Sequence, residues 1–178
     1  MTFELVSSET TYHGKVFNVR RDKLRMPDGN LTELDIVDHP GAVTLIPVDA
    51  QGHVCLVRQY RHATREELLE LPAGAMGQAE TPEACARREV REEIGMSAGR
   101  LEKIGEFYLA PGYSTEYMYV FLATELSPDP LQPDEDEFLS VESIPLEQLL
   151  RMAESGKIMD SKSLAALFLA RPYLESLS

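Results

Sequence analysis

Apolar residues mix with basic ones from about residue 13 to Arg25, break at Pro27-Asp28-Gly29-Asn30, and resume from Leu31 to Val37. Such runs on either side of a turn-forming tetrapeptide predict a β-hairpin over residues 13–38. Two apolar runs, Ala42 to Val48 and His53 to Tyr60, predict strands joined by the turn Asp49-Ala50-Gln51-Gly52. Glu67 to Leu71 predicts a short strand that stops at Pro72. The period then changes. From Thr81 to Ile94 the spacing is helical, with Thr81 suited to cap the helix, Pro82 to its first position and Gly95 to its end. Strands are expected again at Leu101 to Leu109, Glu116 to Ala123 and Phe138 to Ser143. Two helices close the chain. One starts at Pro145, carries Leu146, Leu149 and Leu150 on one face, and ends near Gly156. The other runs from about Ser161 to Ala170 with Leu164, Leu167 and Phe168 at helical spacing. Strands interrupted by one helix and followed by two predict an α+β, mixed-sheet layered fold rather than a doubly wound one. No internal repeat is present, and the Pro- and acid-rich segment 127–137 reads as a surface loop.

With 178 residues, 43% hydrophobic and 26% charged, the chain has the composition of a soluble globular protein that needs no disulfide staple. Its two cysteines, Cys55 and Cys85, cannot form a four-cysteine zinc site. The start MTFELVSSETTYHG has no basic head and no apolar centre, and no apolar run approaches the roughly 18 residues of a membrane span. The expectation is a reduced, cytoplasmic protein with no membrane partner. The net charge of -13 disfavours binding to nucleic acid. It does not disfavour a small phosphate ligand, provided clustered carboxylates hold a divalent cation that in turn holds phosphate.

The helix at 81–94 supplies such a cluster. Ala86, Val90 and Ile94 fall in one arc of its wheel and predict the buried stripe. Glu89, Glu92 and Glu93 stand at i, i+3 and i+4 in a neighbouring arc. Three like charges on one face repel each other, and Mg²⁺ or Mn²⁺ would convert that repulsion into binding. For such a run taken alone, the alternative is a solvated acidic face with Arg87, Arg88 and Arg91 as salt-bridge partners.

The surrounding residues decide between the two. Gly74, five residues, Glu80, seven residues and then Arg88-Glu89-Val90-Arg91-Glu92-Glu93-Ile94-Gly95-Met96 resemble the signature of the Nudix hydrolases at every specified position. That resemblance implies an α+β, Nudix-type α/β/α sandwich with a mixed sheet over residues 41–178, with the box at 74–96. Residues 1–40 would form an N-terminal antiparallel β extension that serves dimerisation. It also implies a Mg²⁺- or Mn²⁺-dependent pyrophosphohydrolase. Glu89, Glu92 and Glu93 with the carbonyl of Ala73 would hold metal, and Gly74, Glu80, Arg88 and Gly95 would brace the loop-helix-loop. Glu92 is also a catalytic candidate. In one subfamily the base is a Glu on a late loop, for which Glu137 is the first match here and Glu135 the second; the alternative is that these acids only solvate their loop.

Looser likenesses point to the ADP-ribose pyrophosphatases. They are Glu70-Leu71-Pro72-Ala73-Gly74, Arg58-Gln59-Tyr60-Arg61, Ala110 to Glu116 with Pro111 beyond the box, and Gly156 to Lys162. By that resemblance Arg58, Arg61, Glu70, Pro111, Gly112, Ser114 and Glu116 are substrate-binding candidates, with the two arginines alternatively exposed strand-end charges. The substrate would be a nucleoside diphosphate sugar, ADP-ribose before GDP-mannose or ADP-glucose, and the assembly a homodimer. A non-catalytic nucleotide-sensing module is the reading from another class, and the intact glutamates speak against it. The chain has no Trp, so Tyr113, Phe17 or Arg20 would have to stack on a base.

Overall fold

The structure is a computed structural model that describes residues 2–132 and 138–174. Glu135 and Glu137 lie outside the described residues. The chain divides into two compact units, residues 1–41 with 107–117, and residues 42–106 with 118–178.

The first unit is an antiparallel sheet of β1 (Glu4–His13), β2 (Asn18–Arg25) and β3 (Leu31–Asp38), in that order. The expected hairpin is β2–β3. Its turn closes through Gly29 N–H to the Met26 carbonyl (2.9 Å) and Asn30 N–H to Asp28 Oδ1 (3.0 Å). Opposite charges face each other across the ladder, as in Arg21–Asp35 at 2.8 Å. β1 was not expected, because Glu-Leu-Val-Ser-Ser-Glu-Thr-Thr-Tyr-His lacks apolar alternation. All ten of its residues are exposed, so no buried face imposed one. Segment 107–117 joins this unit through Val37 N–H to the Tyr113 carbonyl (2.8 Å) and Thr115 N–H to the Val37 carbonyl (3.0 Å).

The second unit holds two sheets. In one, β4 (Ala42–Pro47) runs parallel to β9 (Tyr117–Pro128) and antiparallel to β7 (Ala73–Ala75), with β8 (Met96–Tyr108) beyond β9. In the other, β5 (His53–Arg61) lies between β10 (Leu139–Pro145) and β6 (Glu66–Glu70), antiparallel to both. Three helices follow the expected order: α1 (Pro82–Ile94), α2 (Leu146–Glu154) and α3 (Ser161–Leu174). β8 begins five residues before its expected start, through the small and polar Ser97-Ala98-Gly99-Arg100. α3 extends four residues past Ala170 and includes Pro172, whose missing N–H removes one helical hydrogen bond.

β4 is buried along its whole length. Its Val43 and Leu45 meet Ala86, Val90 and Ile94 of α1 in one core, with Val57, Phe121 and Ala123. The alternate residues of β4 face the other way, and α3 also packs on this strand. A sheet covered by helices on both faces is the layered sandwich expected.

Candidate active site

α1 carries the site, and its ends explain its position. Thr81 Oγ1 accepts the Ala84 N–H (3.2 Å) while its own backbone stays extended, and Pro82 follows at the first turn. At the other end Gly95 turns left-handed, at φ 71°, and its N–H caps the Val90 carbonyl. Between these caps, Glu89 and Glu93 lie on the buried side with Ala86, Val90 and Ile94, at 6% and 4% exposure. This excludes the solvated-face alternative for these two residues. Buried carboxylates exist only where something compensates them.

The compensation comes from β7 and from Arg88. Glu93 Oε2 accepts the Ala73 N–H (2.9 Å). Glu89 lies against the Cα of Gly74, where a Cβ would stand 1.8 Å from Oε1. Arg88 Nη1 donates to Glu89 Oε1 and Glu92 Oε2, each at 2.6 Å, while Nε and Nη2 hold Glu80 at 3.0 Å. Arg88 also donates to the Ala75 carbonyl (3.3 Å). Hydrogen bonding to Arg88, helped by the Gly77 N–H, holds the Glu80 carboxyl down at about 2 against the opposing effect of burial. The same contacts raise Arg88, which stays charged. Burial, then the charges of Glu89 and Glu80, push the Cys85 thiol up to about 12. It packs as a neutral group under the Gly74 and Ala75 carbonyls.

The NUDIX domain model matches residues 38–167. The chain belongs to the Nudix family. It is 37% identical over 164 residues to an ADP-ribose pyrophosphatase of Bacillus subtilis (strain 168), a match that covers 91% of this chain and 89% of the relative. It is also 37% identical, over 137 residues, to a GDP-mannose pyrophosphatase of Yersinia pestis (strain Pestoides F), covering 71% and 68%. The crystal structure of an ADP compounds hydrolase superposes with a TM-score of 0.88 at 25% identity, covering 100% of this chain and 97% of the other.

Nudix hydrolases use divalent metal ions. Among the described residues, no three His, Cys, Asp or Glu side chains converge as they stand to hold one. Glu89 and Glu92 turn to Arg88, and Glu93 turns to the Ala73 amide. The donor chemistry nevertheless fits a hard cation. All the donors are oxygens, two of the carboxylates are buried, and a single Arg88 serves three of them, Glu80, Glu89 and Glu92. Arg91 is not available to them, because it pairs with Asp129 (3.0 Å).

The other candidates fall into three places. Arg61 and Glu70 bind each other in a bidentate pair, Nε to Oε1 at 2.9 Å and Nη2 to Oε2 at 2.7 Å. Glu70 lies three residues before Ala73, and Glu93 contributes to the field at Arg61. Arg58 lies on the same strand and pairs with Glu142 (2.6 Å), so the structure gives it a local partner. Pro111, Gly112, Ser114 and Glu116 belong to the first unit. There Pro111 and Gly112 are exposed, and buried Ser114 Oγ accepts the Glu116 N–H (3.1 Å). Of the base-stacking candidates, Arg20 is engaged by Asp22 and Asp38, whereas Tyr113 and Phe17 are exposed.

Sequence reasoning gave no role to Asp160, Lys162 and Ser163, which the structure brings to Glu70 and Leu71. The signal was present in the Gly156–Lys162 likeness. A cavity of about 470 Å³ opens beside α1, lined by Ala84, Arg87, Arg88, Arg91, Ser97, Ala98 and Leu131.

Proposed function

We propose that the protein is a Mg²⁺- or Mn²⁺-dependent Nudix pyrophosphohydrolase that cleaves ADP-ribose to AMP and ribose 5-phosphate. The observation that carries this reading is the seating of two buried carboxylates, Glu89 and Glu93, against the Ala73–Gly74 backbone. The similarity to an ADP-ribose pyrophosphatase over nine-tenths of the chain supports the choice of substrate.

Glu89, Glu92, Glu93 and the Ala73 carbonyl would hold the metal. When bound, it neutralises phosphate charge and makes a water more acidic. The chain's own groups do the rest. Arg88 keeps Glu89 and Glu92 on one side of the helix and is itself fixed by Glu80. Arg61 offers a guanidinium for a phosphate oxygen, since Nε and Nη2 donate to Glu70 while Nη1 donates to none of the described residues. Glu137, or else Glu135, takes the proton of the attacking water. Water then adds to one phosphorus and the bridging P–O bond breaks. The stretch leading to that loop lies along the end of α1, through Leu131 N–H to the Arg91 carbonyl (3.1 Å) and Asp129 N–H to the Gly95 carbonyl (3.0 Å), which favours a base from this loop.

We further infer a cytoplasmic homodimer. Both cysteines are free and buried, and among the described residues no helix is long and apolar enough to cross a membrane. The first unit exposes the apolar side chains of Phe3, Leu5, Val6, Tyr12, Leu31 and Leu34, which a second copy could cover. A monomer in sedimentation at micromolar concentration would refute the dimer.

The GDP-mannose pyrophosphatase relative supports a second reading, hydrolysis of GDP-mannose. The test is kcat/KM for ADP-ribose, GDP-mannose, ADP-glucose and NADH with Mg²⁺. A clear preference for ADP-ribose, with AMP as product, is expected. A higher value for GDP-mannose would transfer the assignment to the second reading.

A further inference from the structure

The start of α3 closes an ionic cluster beneath the strand that leads into the box. Lys162 Nζ, in a side chain 10% exposed, donates to Glu70 and to Asp160 Oδ2 (2.8 Å), and the Glu70 side chain is 2% exposed. Asp160 Oδ2 also accepts the Ser163 N–H (3.0 Å) and the Ser163 hydroxyl (2.6 Å). Ser163 Oγ in turn accepts the Leu71 N–H (2.8 Å). Glu70 therefore carries two cations, Lys162 from the interior and Arg61 from the surface, where the Arg61 side chain is 41% exposed. Burial alone would push the Glu70 carboxyl up; Arg61 and Lys162 together hold it below its ordinary range.

The charge count gives Lys162 a specific task. Arg61 and Lys162 balance Glu70 and Asp160. Without the ammonium, two carboxylates would share one guanidinium next to the box glutamates. That guanidinium would be drawn inward, and the local field would turn against an incoming anion. We propose that Lys162 is a positioning residue for phosphate recognition: by neutralising Glu70 from the interior, it leaves Arg61 at the surface with Nη1 available to a phosphate oxygen. The inference rests on the pyrophosphatase reading only in naming the phosphate as the substrate's.

The test is calorimetric binding of inorganic pyrophosphate to the full chain in Mg²⁺, for wild type, Lys162→Met and the double variant Glu70→Gln/Lys162→Met. Loss of one charge-assisted contact's effect predicts about tenfold weaker binding for Lys162→Met. KM for ADP-ribose should rise by a similar factor while kcat changes much less. The double variant restores the charge balance without the ammonium and should recover most of the affinity. A packing role alone predicts the opposite, a double variant no better than the single one. Unchanged pyrophosphate affinity in Lys162→Met, no recovery in the double variant, or no binding by wild type would each overturn the proposal. If Lys162→Met fails to fold, the affinity of the double variant decides. Wild type that binds pyrophosphate with this pattern but does not hydrolyse ADP-ribose refutes the substrate and upholds the positioning role.

Discussion

Gly74→Ala isolates the contact on which the candidate site depends. Gly74 does not adopt a left-handed φ, so the added methyl group brings no backbone strain of its own. It brings a collision, because the new Cβ would lie 1.8 Å from Glu89 Oε1, 2.0 Å from Cδ and 2.5 Å from Oε2. A normal contact needs about 3.5 Å, so the carboxylate must withdraw by roughly 1–2 Å. It has little freedom to do so, being buried and held by Arg88 at 2.6 Å. Displacing a charge-assisted hydrogen bond of this kind costs about 1–2 kcal/mol of stability. Misplacing a group that serves the reacting centre by about 1 Å costs about a hundredfold in rate. The assay is ADP-ribose turnover against Mg²⁺ concentration, beside thermal unfolding. The expected result is a folded protein with kcat/KM down about a hundredfold and a higher Mg²⁺ requirement. Wild-type turnover at wild-type Mg²⁺ would refute the reasoning, because Glu89 would then have no fixed task at that position.

Glu89→Gln and Glu93→Gln should each leave the protein folded, with less than about a tenth of wild-type turnover, since each removes a charged oxygen donor; turnover within tenfold for either would displace it from the metal set. Glu80→Gln tests the bracing of Arg88 through pH. The Glu80 carboxyl is depressed to about 2 from an ordinary 4.5, so its contribution is complete above about pH 4.5 and is lost as pH falls towards 2. Screening at the partly exposed Arg88 reduces that contribution to about 1–2 kcal/mol. Chemical denaturation should show wild type ahead of Glu80→Gln by this amount from pH 5 to 8, with the gap closing below pH 4.5. A gap independent of pH would sink the assignment.

α1 was legible almost to the residue because three signals agreed: Thr81 and Pro82 at its start, Gly95 at its end, and the Ala86-Val90-Ile94 stripe between them. The placing of Glu89, Glu92 and Glu93 on one helix was legible from their helical spacing. Their burial was not, since a helical wheel places Glu89 and Glu93 beside the apolar arc but does not show that Ala73 and Gly74 close over it. β1 was missed because a strand exposed on both faces needs no apolar period. β7 was missed because three residues, Ala-Gly-Ala, carry no pattern. The Arg61–Glu70 pair escaped because cross-strand register sets Arg61 opposite Glu66, whereas its guanidinium reaches Glu70. The Lys162 contact joins residues 92 apart in sequence, a separation that no local period encodes.

The central claim is that the carboxylates of α1 act through a divalent cation on the pyrophosphate bond of ADP-ribose. The measurement that tests it most directly is AMP release from ADP-ribose by chelator-treated protein, before and after Mg²⁺ or Mn²⁺ is returned. The account predicts no turnover without metal and full turnover once either is restored. Turnover undiminished in the chelator, or none with either metal, would contradict it.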